Sequence, residues 1–242
     1  RVNGNCEGSI QTTLLRMCAQ ATFYERSNGK IVVLSGMPKT LQELYVVGCR
    51  SISLVQLNPA LRKLTLLNCY LTEETVVRII TMCPRLTEID LSANAAVTDT
   101  CTNLIGKRYG KTLTSLGLRY CVSVSQSAVL EVCSKCTQLH SLDISENEHF
   151  APSIFAEVLD RAPNLRRLLA SDMTVPDDAL RRIAASQLEF LDICDVDGCT
   201  DVGLAALMNG CVSLRSICIS DNRISSLVKL LWRRQRPGLT FV

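Results

Sequence analysis

The side chains best suited to chemistry are His140 and His149, the two histidines among 242 residues. Nine residues apart, on an expected strand and the loop after it, they make neither a His-Glu-x-x-His metal helix nor a triad. Gly106-Lys107-Arg108-Tyr109-Gly110-Lys111-Thr112 is one residue short of G-x-x-x-x-G-K-S/T. Its order is also inverted. It closes a helix and enters a strand, whereas a phosphate needs the amides of the helix that follows. Cys133-Ser134-Lys135-Cys136 is a single C-x-x-C. Structural zinc needs a second ligand pair, and a redox dithiol belongs at a helix start, whereas this pair ends one. The sequence therefore gives no catalytic, cofactor-binding or metal residue, and the chain is read as a non-enzyme.

Thirteen cysteines could form a disulfide scaffold, but the number is odd and no N-x-S/T sequon occurs. They also fall at recurrent positions, as buried free thiols do. That argues for a reducing, intracellular compartment: cytoplasm or nucleus first, with the mitochondrion left open. A net charge of +3 is too mild to argue for nucleic acid outside a large complex. No apolar run approaches the ~18 residues of a membrane span.

The elements that hold these side chains repeat. Leu139-His140-Ser141-Leu142-Asp143-Ile144-Ser145-Glu146-Asn147 reads L-x-x-L-x-L-x-x-N. Alternation puts Leu142 and Ile144 on one face of a short strand. Eight such units occur, with core triplets Leu41/Leu44/Val46, Leu61/Leu64/Leu66, Leu86/Ile89/Leu91, Leu113/Leu116/Leu118, Leu139/Leu142/Ile144, Leu165/Leu168/Ala170, Leu188/Leu191/Ile193 and Leu214/Ile217/Ile219. Successive steps are 20, 25, 27, 26, 26, 23 and 26 residues. One unit cannot bury its apolar face alone, but a stack can.

A step near 26 leaves room for an outer helix, and helices are expected at 72–82, 98–109, 125–135, 152–161, 176–186, 201–209 and 225–235. Thr72, Ser125 and Thr200 suit N-caps. Pro152 and Pro176 suit first turns, and Asp177-Asp178 suits the helix dipole. The 20-residue step is too short for a helix, so 51–58 should be extended. A bulged loop is expected at Asp195–Gly198, where Val196 takes the Asn/Cys position. Residues 1–40 are read as an N-terminal cap, with a helix at 10–24 and a strand at 31–34. Residues 41–235 are the repeat domain and 236–242 a C-terminal capping tail, with Leu239 and Phe241 in a last strand.

Cys83, Cys136 and Cys211 lie three residues before a repeat leucine, and Cys49, Cys69 and Cys121 replace the closing asparagine. The pattern C-x-x-L-x-x-L-x-L-x-x-C, followed by starts such as Val97-Thr98-Asp99, resembles the cysteine-containing leucine-rich repeats of Skp2-like F-box proteins over roughly residues 41–235. The resemblance implies a right-handed α/β solenoid, a horseshoe with a parallel inner sheet and outer helices. It implies a protein-interaction scaffold, in many members the substrate-recognition module of an SCF-type ubiquitin ligase. No F-box is visible in residues 1–40. A Skp1-like adaptor is a partner only if one lies upstream. The alternative is a structural subunit or assembly factor of a large organellar, ribosomal or ciliary complex.

On the concave face the outward columns are Tyr45, Thr65, Asp90, Gly117, Asp143, Leu169, Asp192, Cys218 and Val47, Leu67, Ser92, Arg119, Ser145, Ser171, Cys194, Ser220. Asp90, Asp143 and Asp192, with Glu88, Glu146 and Asp195, suit a basic protein segment, and Arg119, Tyr120 and Phe190 are candidate anchors. Arg233, Arg234 and Arg236 form a secondary basic patch. With Arg161, Arg181 and Arg182 on the helices, the two faces should differ in sign.

Overall fold

The computed structural model describes residues 22–26, 31–33, 40–49, 51–53, 59–220, 225, 230, 232, 234–236 and 238–241. The chain divides into two compact units, Arg1–Gln138 and Leu139–Val242.

The first unit contains β1 (Thr22–Arg26), β2 (Ile31–Val33), β3 (Glu43–Val47), β4 (Ser51–Ser53), β5 (Lys63–Leu67), α1 (Glu73–Met82), β6 (Glu88–Asp90), α2 (Asp99–Tyr109), β7 (Ser115–Gly117) and α3 (Gln126–Lys135). Strands β1, β3, β5, β6 and β7 pair in that order, all parallel. Register sets Leu44 against Leu64, Leu64 against Ile89, and Ile89 against Leu116, so the core leucines form one row. The short step between β3 and β5 carries β4, which pairs with β2 in a separate two-stranded sheet. The helix expected at 10–24 is corrected at its end: residues 22–24 belong to β1, and 10–21 lie outside the described residues. Thr22, Phe23 and Tyr24 are strand-favouring types, and pairing with β3 outweighs the helical spacing.

The second unit contains β8 (Ser141–Asp143), α4 (Ile154–Arg161), β9 (Arg167–Leu169), α5 (Asp177–Ala184), β10 (Phe190–Asp192), α6 (Asp201–Gly210), β11 (Ser216–Cys218) and β12 (Thr240–Phe241). Its strands pair in chain order, parallel, with Leu142, Leu168, Leu191, Ile217 and Phe241 in one register row. All twenty-four residues of the core triplets are buried.

Three of the helix starts follow the sequence. Thr72, Ser125 and Thr200 each accept a backbone N–H through the hydroxyl. Pro152 and Pro176 sit earlier than expected: Pro176 is itself the N-cap of α5, and Pro152 precedes the N-cap Ser153. An acid in one first turn also braces the next helix. Asp99 accepts Ser125 N and Oγ at 2.7 Å each, and Asp177 accepts Thr200 N at 2.8 Å and Oγ1 at 2.7 Å. Both bonds hold the Asp177 carboxyl below its usual range.

The Asn/Cys position closes each strand turn. Asn94 donates from Nδ2 to the carbonyls of Leu66 (2.5 Å), Leu91 (2.7 Å) and Ser92 (3.0 Å), and accepts Cys69 N at 2.8 Å. Cysteine does the same job more weakly. Cys69 Sγ reaches Val46 O at 3.7 Å, and Cys121 Sγ reaches Leu91 O at 3.5 Å, the equivalent carbonyl one repeat back. Met173 and Val196 cannot donate from this position. There the expected bulge is a bridge: Asp197 N donates to Met173 O at 3.1 Å, and Val175 N donates to Asp197 O at 2.8 Å.

Among the described residues, the backbone turns left-handed one residue before seven closing positions: Gly48, Asn68, Ala93 and Tyr120 in the first unit, and Glu146, Asp172 and Asp195 in the second, with φ from 51° to 69°. This turn aims the N–H at the next repeat, as in Ala93 N to Arg119 O at 2.7 Å and Glu146 N to Ser171 O at 2.9 Å.

Candidate functional site

In the first unit, the strand face opens with the row Glu43, Lys63 and Glu88. Lys63 Nζ stands 3.0 Å from Glu88 and 3.8 Å from Glu43, so Glu88 is already half of an ion pair. In the next column Asp90 folds over Gly117, where a Cβ would lie 2.4 Å from Oδ1. Asp90 Oδ1 accepts Ser92 N at 3.0 Å and Oγ at 2.5 Å, and Ser92 Oγ accepts Arg119 N at 3.2 Å. The rim beyond is apolar and exposed: Tyr70 is 75% exposed, Tyr120 52% and Val122 51%. Tyr70 and Val122 follow the closing positions Cys69 and Cys121, so the repeat spaces them along one edge. Arg119 is exposed beside Tyr120.

The second unit repeats the aspartate cap. Asp143 Oδ1 accepts Ser145 N at 3.0 Å, and Ser145 Oγ accepts Ser171 N at 3.1 Å. Ser171 Oγ then donates to Asp192 Oδ1 at 2.7 Å, and Asp192 Oδ1 also accepts Cys194 N at 3.1 Å. Asp90, Asp143 and Asp192 recur because each closes its own strand end. Phe190 lies under Arg167, whose guanidinium carbon is 3.9 Å from the ring centroid. Glu146 and Asp195 occupy left-handed turns, and Asp195 Oδ1 accepts Ser220 Oγ at 2.8 Å.

Sequence reading missed one cluster. Cys218 is the register partner of Asp192, and Cys194 follows two residues on. Their sulfurs and the carboxylate converge, although no spacing motif links them. The buried pair Cys133 and Cys136 sits in the core, where desolvation pushes the Cys136 thiol up to about 11.

The basic patch is redrawn. Arg233 lies outside the described residues, and Arg234 is exposed. Arg236 is a staple: it donates to the carbonyls of Met208, Cys211, Val212 and Leu214 at 2.5–3.4 Å, at the C-terminal end of α6. The helix arginines are paired as well. Arg182 meets Asp160 at 2.6 Å, Arg161 meets Glu157 at 3.9 Å, and Arg181 meets Asp178. These pairs offset the expected difference in sign between faces.

No helix among the described residues is long and apolar enough to cross a membrane. No family model matches the sequence. Among solved structures, the chain is similar to human 5T4 (Wnt-activated inhibitory factor 1, trophoblast glycoprotein). The TM-score is 0.54 at 16% identity, over 99% of this chain and 88% of that one. A protein from Bacteroides fragilis gives 0.51 at 15% identity, over 76% and 66% of the two chains. Rad7, from the yeast complex of Rad7 and Elc1, gives 0.49 at 15% identity, over 89% and 81%. Likeness at these identities concerns fold. Together with eight periodic units and parallel in-register strands, it gives the chain the fold of an α/β leucine-rich-repeat solenoid.

Proposed function

We propose that the chain is a non-catalytic protein-interaction scaffold. The observation that carries this reading is Tyr120. It is 52% exposed at the rim of the first unit, in a left-handed turn (φ 51°) that the repeat imposes whatever the residue. A large aromatic held out of the core, with Tyr70 also exposed on that rim, points to a role for that side chain outside the fold. Tyr70 and Arg119 extend the patch with residue types that dominate binding energy at interfaces, and Val122 adds exposed apolar surface. On the strand face of the second unit, Asp143 and Asp192 place carboxyl groups at the strand ends that they cap. A basic segment remains the chemistry that this face suits.

Within that class, the finer reading is substrate recognition for an SCF-type ubiquitin ligase, with a Skp1-like adaptor as partner. Its rival is a structural subunit of a large complex. Affinity purification of the tagged full-length protein with mass spectrometry separates them. Adaptor and cullin together support the ligase reading. One fixed assembly without them supports the subunit. Recovery of no stoichiometric protein partner overturns the scaffold.

A further inference from the structure

We propose that Asp192, Cys194 and Cys218 form a site for a thiophilic divalent cation of the zinc class on the strand face of the second unit. A carboxylate oxygen of Asp192 and the two Sγ atoms all lie within 4.8 Å of one another, and all three residues are half-buried. The fold builds this convergence. Parallel register places Cys218 beside Asp192, and alternation returns Cys194 to the same face. Zinc with ~2.3 Å bonds to sulfur in tetrahedral geometry sets its sulfurs about 3.8 Å apart, which rotation of two exposed-side thiols supplies.

The surroundings match a metal site in one further way. Asp192 Oδ1 is held by Ser171 Oγ at 2.7 Å and Cys194 N at 3.1 Å, which fixes the carboxylate as outer partners of a metal ligand do. Binding exchanges two S–H protons for two metal–sulfur bonds, and the protons pass to solvent. Three protein ligands leave the fourth position to water or to a group from a bound partner.

Cobalt(II) is the probe, titrated into the reduced full chain. The expected result is a thiolate-to-cobalt charge-transfer band that saturates near one cobalt per chain, bleaches on zinc addition, and accompanies release of about two protons per metal. The paired substitution Cys194→Ser and Cys218→Ser should remove the band. Ser171→Ala should keep it while weakening affinity about 10–100-fold. Absence of a band in the wild-type chain overturns the site, whatever the variants do. A band undiminished in the double variant assigns the metal to other cysteines and overturns it equally. If the double variant does not fold, Asp192→Asn decides: affinity unchanged from wild type overturns the proposal.

Discussion

Replacing Asn94 by alanine tests the physical basis of the closing position. Asn94 is 1% exposed and makes four hydrogen bonds, three through Nδ2 and one through Oδ1. Each such bond contributes about 1 kcal/mol net, and a buried group left without a partner costs about 1–3 kcal/mol. Asn94→Ala strands the Cys69 amide at least, so the expected loss is about 2–4 kcal/mol. For a chain of this size that lowers the melting temperature by about 4–16 °C. Asn94→Cys is the informative partner. A thiol donates to the equivalent carbonyl at Cys69 and Cys121. The cysteine variant should therefore fall between wild type and alanine, at roughly half the loss. Urea denaturation followed by circular dichroism measures all three. An alanine variant within about 0.5 kcal/mol of wild type, or a cysteine variant below alanine, refutes the reasoning.

Three further outcomes are expected. Ala93 holds φ 59° with an L side chain, so Ala93→Gly should stabilise by up to about 1 kcal/mol, read as a higher urea midpoint. Arg236→Ala removes a charged donor from four carbonyls, and should cost roughly 1.5–3 kcal/mol in the same assay. Asp177 gives a pH signature. Its carboxyl titrates below the ordinary 3.8 when folded, because Thr200 donates to its ionised form. Its contribution is thus complete above the unfolded value and lost as pH falls through the folded one. The stability gap between wild type and Asp177→Asn should be open at pH 6 and close as the pH falls below the ordinary 3.8. A gap that widens in acid contradicts the assignment.

The core was legible because leucines alternate within each strand and recur at each step, and two periods together leave little freedom. The left-handed turns were not. Glycine, asparagine, alanine, tyrosine, glutamate and aspartate all occupy that position, because an inter-repeat amide bond sets the turn rather than residue type. From sequence Asp90 and Asp143 are only charges suited to a basic segment, but each accepts the amide two residues on. That role leaves no trace in composition. Arg236 looked like part of a surface run, yet its targets lie 22–28 residues back in the chain. Cys194 and Cys218 were both placed in outward columns, and only parallel register brings them together. The strand at Thr22–Arg26 was hidden by helical spacing in the residues before it.

The most direct measurement compares proteins captured by full-length wild type with those captured by Tyr120→Gly. Glycine suits φ 51°, so this variant should be at least as stable as wild type while lacking the exposed ring. The scaffold reading expects a partner recovered stoichiometrically by wild type and lost, or reduced at least tenfold, with the glycine variant at unchanged melting temperature. Equal recovery by the two proteins would show that the rim of the first unit is not where partners bind. Loss of both stability and partner would instead make Tyr120 a part of the fold.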